Sequence, residues 1–390
     1  MSCPTPSTYA DTPTEGMRRG CKPEALVGSN FCASRLFVSR VVIGYLHFVA
    51  VLCTIAGIAC PIGVSLADEG GVSFWVPGTY GSLAAVPGVP GWSLAIINYY
   101  ASVSAAGDVA AAREVMIGNL GRTINVNPNA NFEGSGDSIW VTPSYTFVTP
   151  VFGGQFALSM MGLVGRTIGD VSGTLTASSG GLPVTRQGTI DQGRTGFGDL
   201  YPQATLKWNS GVNNWMTYLT GDIPVGMYSS TSLANLGIGH GAIDGGVGYT
   251  YLDEKSGHEL SAVMGLTYNL TNPTTNYQNG LDWHLDWGAS QYLSKQFSVG
   301  LVGYFYDQIT ADRGCAPQLC PFESRVIGVG PQATYLFPIA GMQGYLNLKA
   351  YGEFDGHARP DGWNAWVTLS FSPSEPTATS SSKPLVTKEH

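Results

Sequence analysis

Alternation of apolar and polar residues along segments of about ten positions constrains this fold most strongly. In WNAWVTLSF, residues 363–371, the odd positions are all apolar and the even positions are mostly polar. Residues 281–293 repeat the pattern, with Leu, Trp, Leu, Trp and Ala alternating with Asp, His, Asp, Gly and Ser. Because successive side chains of a strand point to opposite faces, each segment is predicted to be a strand with one apolar face. The chain is therefore predicted to be all-β.

The composition decides what the apolar faces contact. Soluble sandwiches carry many charged residues on their outer faces, whereas only 12% of this chain is charged and the polar faces hold mainly Ser, Thr, Asn, Tyr and Gly. A tilted strand of about nine to eleven residues crosses the hydrocarbon layer, and a sheet in lipid must close because unpaired peptide groups are costly there. Residues 92–371 are thus predicted to form a transmembrane antiparallel up-and-down β-barrel of about 12 strands, with 14 left open.

The predicted connections alternate between two kinds. Short ones lie near residues 151–154, 209–211, 253–257, 294–295 and 339–341. Long ones are predicted near residues 127–137, 169–193, 226–239, 271–280, 310–322 and 355–362. Tight turns at one end and long loops at the other are typical of bacterial outer-membrane barrels. Phe371 is predicted to close the last strand and to engage the barrel-assembly machinery, and residues 372–390, rich in Ser, Thr and Pro, are predicted to be a disordered tail.

The N-terminal part differs in kind from the rest. Several arginines and a lysine precede a long apolar run at residues 41–60, and the small residues of Ser-Leu-Ala follow. This order predicts that residues 1–67 are a basic region and a secretory signal cleaved after Ala67. An uncleaved transmembrane anchor over 41–60 remains the alternative. Export through the inner membrane to the cell outer membrane follows from the signal and the barrel together.

Two cysteines remain after the predicted cleavage site, Cys315 and Cys320. They lie close together in a predicted loop, and an oxidising compartment would join them in a disulfide. A metal site there needs two more soft ligands nearby, and the sequence offers none. No metal and no cofactor are predicted.

Five motifs carry a resemblance to a known family: SFWVPGTYGSLAA at 73–85, PGWS at 90–93, TGFGDLYPQATLKW at 195–208, TGDIPVG at 220–226 and NLGIGHGAIDGG at 235–246. Through them the region 71–372 resembles the family called MetA-pathway of phenol degradation, outer-membrane transporters of proteobacteria. The resemblance implies a role in uptake linked to aromatic catabolism. It supplies no catalytic residues.

Residues 68–91 are too rich in Pro and Gly for a regular strand, since each proline removes a ladder donor. The segment nevertheless holds large aromatic side chains, Phe74, Trp75 and Tyr80. By analogy with hydrocarbon-uptake barrels, we expect it to fold into the barrel as a plug or gate. An irregular periplasmic leader is the alternative.

If the apolar faces contact lipid, the opposite faces line the lumen. The predicted lumen-lining, substrate-binding residues are Asp199, Tyr201, Asp222, Asp244, Glu259, Asp282, His284, Asp286, Tyr304, Tyr306, Lys349, Tyr351 and Glu353, with Lys207 on a polar face as well. Acids outnumber bases in this set, which predicts a lumen that disfavours anions. The tyrosines can stack and hydrogen-bond with a weakly polar aromatic solute. The expected function is passive uptake of small hydrophobic or aromatic, phenol-like compounds.

Other functions leave weaker signals. The net charge of −8 and the lack of a basic cluster in the barrel region argue against nucleic-acid binding. The glycine-rich motifs lack the lysine of a phosphate loop. A lipase-like hydrolase needs a base, for which His240, His258, His284 and His357 are candidates, but no G-x-S-x-G motif accompanies them. The chain is therefore predicted not to be an enzyme, and a purely structural surface barrel remains an alternative.

Overall fold

Twelve antiparallel strands form one closed barrel in the computed structural model, which describes residues 73–106, 131–179, 182–314 and 323–374. The strands are β1 Gly91–Ala106, β2 Asn131–Thr146, β3 Gln155–Ser179, β4 Leu182–Ser210, β5 Asn213–Asp222, β6 Ala242–Asp253, β7 His258–Asn269, β8 Leu281–Tyr292, β9 Phe297–Gln308, β10 Arg325–Ile339, β11 Met342–His357 and β12 Asp361–Pro373.

Each strand pairs with the next one in sequence, and β1 pairs with β12 to close the cylinder. The seam runs from Leu94 opposite Phe371 to Ser104 opposite Asp361. Closure leaves no strand edge bare, which is what lipid requires of a β-sheet. The predicted all-β, 12-stranded antiparallel barrel is confirmed.

The two faces of the barrel follow the period-two pattern. On β8, Asp282, His284 and Asp286 are buried, while the apolar residues between them are partly exposed. On the outside, exposed large apolar side chains occur on most of the strands, with Leu219 and Val247 more than half exposed. An exposed apolar surface of this extent is rare on a soluble monomer. The polar residues therefore fill the interior, and the apolar residues form the outer belt that contacts lipid.

Three predicted long loops are wrong, because the strands continue into them. β3 and β4 form one hairpin that pairs from Gln155 opposite Lys207 to Ser179 opposite Leu182, across the loop predicted at 169–193. β11 and β12 leave only residues 358–360 between them, and β2 begins at Asn131. These extensions exceed the length that crosses a bilayer. Strand residues that lie outside the lipid need not be apolar, and these extensions are rich in Gly, Ser and Thr. Their composition therefore predicted loops, although the strands remain paired there.

Residues 73–90, here called the inner segment, form turns and irregular chain inside the barrel and contain no strand. The segment leads directly into β1 and contributes no spanning strand. Residues 73–90 therefore do not support the 14-strand alternative. No helix in the described part of the chain is long and apolar enough to cross a membrane. The predicted signal and anchor, the Cys315–Cys320 pair and the tail beyond residue 374 lie outside the described residues.

Candidate functional site

The lumen is the candidate functional site, and the predicted lumen residues all lie on its inward faces. Eleven of the thirteen are buried, while Tyr201 and Glu353 are partly exposed. They are contributed by β4 to β9 and by β11, namely Asp199 and Tyr201 on β4, Asp222 on β5, Asp244 on β6, Glu259 on β7, Asp282, His284 and Asp286 on β8, Tyr304 and Tyr306 on β9, and Lys349, Tyr351 and Glu353 on β11. Their role in binding a solute stays a prediction.

Two oppositely charged wall residues hold the first part of the inner segment by its backbone. The carboxylate of Asp286 accepts hydrogen bonds from the N–H groups of Gly78 and Tyr80, both at 2.9 Å. The Nζ of Lys349 donates to the carbonyl oxygen of Gly78 at 2.6 Å. Donors and acceptors of one short stretch are thus satisfied by charged side chains, which form the stronger kind of hydrogen bond.

The middle of the segment is held by a carboxylate on β7. Glu259 Oε1 accepts from the N–H of Leu83 at 3.0 Å, and its Oε2 accepts from the Ser82 hydroxyl at 2.5 Å. The same hydroxyl lies 2.9 Å from the hydroxyl of Ser290 and receives a hydrogen bond from Gln332 Nε2 at 2.6 Å. Leu83 has a φ of 66°, so the tight turn here uses a left-handed conformation at a residue without special tolerance for it.

The last part of the segment is held in the same way. Lys207 Nζ donates to the carbonyl oxygens of Ala84 at 2.7 Å and Val86 at 3.2 Å. Thr250 Oγ1 accepts from the N–H of Ala85 at 3.0 Å. The wall therefore recognises the backbone of the inner segment along most of its length.

Aromatic side chains add contacts that depend on the segment's own sequence. Trp75 stacks on His284 with ring centroids 3.7 Å apart and planes 13° apart, and Phe74 lies 5.8 Å from Tyr201. Tyr80 lies against Tyr218 at 5.7 Å. Burial, reinforced by the negative charge of Asp244, raises the pKa of the Tyr80 hydroxyl, so this side chain stays neutral at physiological pH. The three predicted plug residues therefore all contact the barrel wall.

His284 is fixed by a residue on β6, two strands away in the sheet, rather than by a residue on its own strand. Its Nε2 lies 2.8 Å from Asp244 Oδ2, which also accepts a hydrogen bond from Thr267 at 2.6 Å. Asp282, two positions away on β8, accepts instead from Asn269 at 2.8 Å. Among the described residues His284 hydrogen-bonds to Asp244 and Tyr218 and to no serine, threonine or cysteine side chain, so it is not paired with a nucleophile of the kind a hydrolase uses. In the described ranges no group of three or more His, Cys, Asp or Glu side chains is arranged to hold a metal ion.

Asp199 organises the loop between β5 and β6, residues 223–241. Its carboxylate accepts from the N–H of Gly226 at 2.6 Å and from that of Ile238 at 2.8 Å. A Cβ on Gly226 would lie 2.7 Å from the backbone nitrogen of Asp199, and one on Gly237 would lie 2.8 Å from its Oδ1. Gly226 of the TGDIPVG motif and Gly237 of the NLGIGHGAIDGG motif thus allow close packing of this loop against β4.

A cavity of about 220 Å³ lies between the inner segment and loop 223–241. Its walls are mainly aromatic and aliphatic, with a few charged groups. The lining includes Trp75, Pro77, Tyr99, Phe132, Trp140, Leu163, Tyr201, Leu233 and Ile238 together with Asp137, Arg166, Glu353 and Arg359. Trp75 and Pro77 form part of its boundary, so the inner segment is part of this site.

Several residues of the site escaped the sequence analysis. Thr250, Thr267 and Gln332 contact the inner segment or the His284 pair, and period-two alternation from Glu259 or Asp244 would have placed the two threonines inward. Arg359 lies in the short connection between β11 and β12, where no alternation exists. Its position follows only from the folded barrel.

A closed antiparallel barrel with an apolar outer belt and a polar interior defines the class: the protein is an outer-membrane β-barrel. The family model described as "Putative MetA-pathway of phenol degradation" matches residues 132–369. The chain belongs to this family, as the motif resemblance predicted. No curated protein sequence matches the chain.

Among solved structures, the chain is similar to the COG4313 outer membrane channel from Pseudomonas putida F1, at 13% identity and a TM-score of 0.49 over 74% of this chain and 97% of that one. It is also similar to a FadL homologue from Pseudomonas aeruginosa, at 9% identity and a TM-score of 0.35 over 80% and 97%. The chain is also similar to the translocator domain of the autotransporter NalP from Neisseria meningitidis, at 10% identity and a TM-score of 0.34 over 74% of this chain and 90% of that one.

Proposed function

We propose that this outer-membrane barrel is a channel for small hydrophobic or aromatic solutes, and that the inner segment is its plug. The observation that carries the proposal is the aromatic-walled cavity bounded by Trp75 and loop 223–241. An apolar cavity of about 150 Å³ is enough to bind benzene in another protein. About 220 Å³ therefore accommodates one substituted aromatic ring.

The way the inner segment is held supports a displaceable plug. Its hydrogen bonds to Asp286, Lys349, Glu259, Lys207 and Thr250 involve wall side chains, and none of them is a ladder bond between neighbouring strands. The segment can therefore leave without opening the barrel itself, because closure depends on the β1–β12 seam. A passage through the lumen requires such a movement, since the segment occupies the interior beside the cavity.

Charge in the lumen supports selectivity for neutral solutes. The inward-facing set contains six Asp and Glu residues on β5 to β8 and β11 besides Asp199, against Lys207 and Lys349. A carboxylate solute passing this wall meets a negative potential, whereas a phenol does not. Arg166 and Arg359 lie at the cavity, so rejection of anions is expected deeper in the lumen than the cavity.

Solute uptake into proteoliposomes tests the proposal. The refolded full chain is inserted into vesicles whose outer leaflet is lipopolysaccharide, because that leaflet slows unassisted entry of phenol, and uptake of phenol and benzoate is compared with that of protein-free vesicles. We expect faster uptake of phenol and little change for benzoate. Phenol uptake equal to that of protein-free vesicles would refute the channel, and equal acceleration of both solutes would refute the selectivity.

A further inference from the structure

Trp75 and His284 form an aromatic pair in the interior. Trp75 is 4% exposed and His284 is fully buried, and their rings stack nearly parallel with centroids 3.7 Å apart. The indole belongs to the inner segment, while the imidazole belongs to the wall. The pair is therefore a contact between a tethered ring and a fixed surface.

The contact is made by the ring face and not by the indole N–H. Within the described part of the chain, Trp75 Nε1 is buried and has no hydrogen-bond partner. A buried donor without a partner weakens the binding of the group that carries it. The indole is therefore held by stacking and burial alone. A free planar aromatic ring of suitable size can make the same interactions.

The wall surface under Trp75 is fixed before any ring binds. His284 is held by Asp244, which is held by Thr267 on the next strand, and the Tyr218 hydroxyl lies 3.5 Å from His284 Nε2. His284 Nε2 is paired with Asp244, whereas His284 Nδ1 is buried and has no hydrogen-bond partner among the described residues. The parts of His284 left to recognise a partner are therefore its ring face and Nδ1. A surface of this kind binds an uncharged aromatic ring better than an ion or an aliphatic group of equal size.

Trp75 is also a wall of the cavity. A ring bound in the cavity is therefore next to the indole, and movement of the indole opens the face of His284 to it.

We propose that the face of His284 is a second binding site for an uncharged aromatic ring, and that Trp75 occupies this site as a tethered ligand in the closed barrel. The inference rests on the proposed function and extends it, because the solute passes from the cavity to His284 as the indole leaves. Competition by the tethered ring lowers the apparent affinity of this site in the wild-type protein. If Trp75 leaves the site vacant in about one molecule in ten or fewer, the apparent affinity of the site for a free aromatic ring is about tenfold or more below its intrinsic affinity.

Histidine-selective NMR of the refolded full-length protein in detergent micelles tests the inference. The chain has only six histidines, and His284→Gln assigns the resonances of His284. We expect the stacked indole to shift the ring protons of His284 upfield in the wild type, and Trp75→Ala to remove that shift. Phenol added to Trp75→Ala should then restore an upfield shift that saturates, whereas cyclohexanol should not.

Trp366→Ala is the matched control, because it removes a buried lumen tryptophan whose Nε1 donates to Asn364 rather than facing His284. It should leave the His284 shift unchanged. Heat-modifiable migration in gels checks that each variant is a closed barrel. Trp75→Phe provides a second variant, which keeps a smaller ring and should show a reduced upfield shift.

Two results would overturn the inference: phenol that leaves the His284 resonances of Trp75→Ala unchanged, or a response to cyclohexanol equal to that to phenol. Uptake of phenol by wild-type proteoliposomes is measured separately. Uptake without a ring-specific response at His284 refutes the second site and leaves the channel standing. A ring-specific response without uptake supports the site and refutes the channel.

Discussion

Asp286→Asn tests how strongly the wall holds the inner segment. The carboxylate accepts two backbone N–H groups, from Gly78 and Tyr80, at 2.9 Å each. Asparagine keeps one acceptor oxygen and loses the charge, so at least one charge-assisted hydrogen bond is lost. Such a bond contributes about 1.5–3 kcal/mol, which corresponds to a roughly 10- to 150-fold larger population of barrels with the segment displaced.

The displaced population can be measured by thiol labelling. Thr79→Cys places a thiol on the inner segment, where the threonine hydroxyl donates to the carbonyl oxygen of Val76 in the same segment, in a chain whose seven native cysteines are replaced by serine. Labelling by a membrane-impermeant maleimide follows the displaced population when opening and closing are fast. We expect Asp286→Asn to raise the rate roughly 10- to 150-fold.

Asp282→Asn is the matched control on the same strand. Asp282 is equally buried, but it accepts a hydrogen bond from Asn269 of β7. The control should label at the wild-type rate. If Asp286→Asn also labels at that rate, the bonds to Gly78 and Tyr80 do not hold the segment and the reasoning is wrong.

Three further predictions concern other parts of the barrel. Val247→Arg places a charge on the lipid face in the middle of β6. It should lower the free energy of unfolding in bilayers, measured by urea titration, by about 2–4 kcal/mol. An unchanged free energy of unfolding would place Val247 outside lipid. Asp199→Ala removes the carboxylate that accepts hydrogen bonds from the N–H groups of Gly226 and Ile238, so amide hydrogen exchange at both residues should accelerate at least about tenfold. Unchanged exchange would show that other contacts hold loop 223–241. Phe371→Ala should slow insertion by the barrel-assembly machinery in cells while refolding in detergent still succeeds; equal insertion rates would remove the role of this residue in assembly.

The strands that cross lipid could be predicted because lipid imposes a strict pattern on them. Every outward position must be apolar there, so the alternation in residues 281–293 and 363–371 identifies both the strands and their inward faces. The inward orientation of Asp286 and Lys349 follows from the same pattern. Outside lipid no such constraint acts, and the extended β3–β4 hairpin through Ser179 and Leu182 was therefore taken for a loop.

The contacts of the inner segment could not be predicted from the sequence. Asp286, Glu259 and Lys349 bind backbone groups of the segment, and backbone groups carry no sequence signal. The pairing of His284 with Asp244 joins residues 40 positions apart, and it depends on the register between β6, β7 and β8. Register of this kind depends on the geometry of the connecting turns as well as on the hydrophobic pattern, and the alternation alone does not give that geometry.

A reversible cross-link between the inner segment and the wall tests the central claim most directly. The hydroxyls of Ser82 and Ser290 lie 2.9 Å apart, so the Ser82→Cys, Ser290→Cys double variant, again with the seven native cysteines replaced by serine, is expected to form a disulfide on oxidation. Uptake of phenol into lipopolysaccharide-faced proteoliposomes should fall to the protein-free rate when the disulfide forms and should recover when it is reduced. Equal uptake by the oxidised and reduced forms would contradict the account, because solute would then cross without movement of the inner segment.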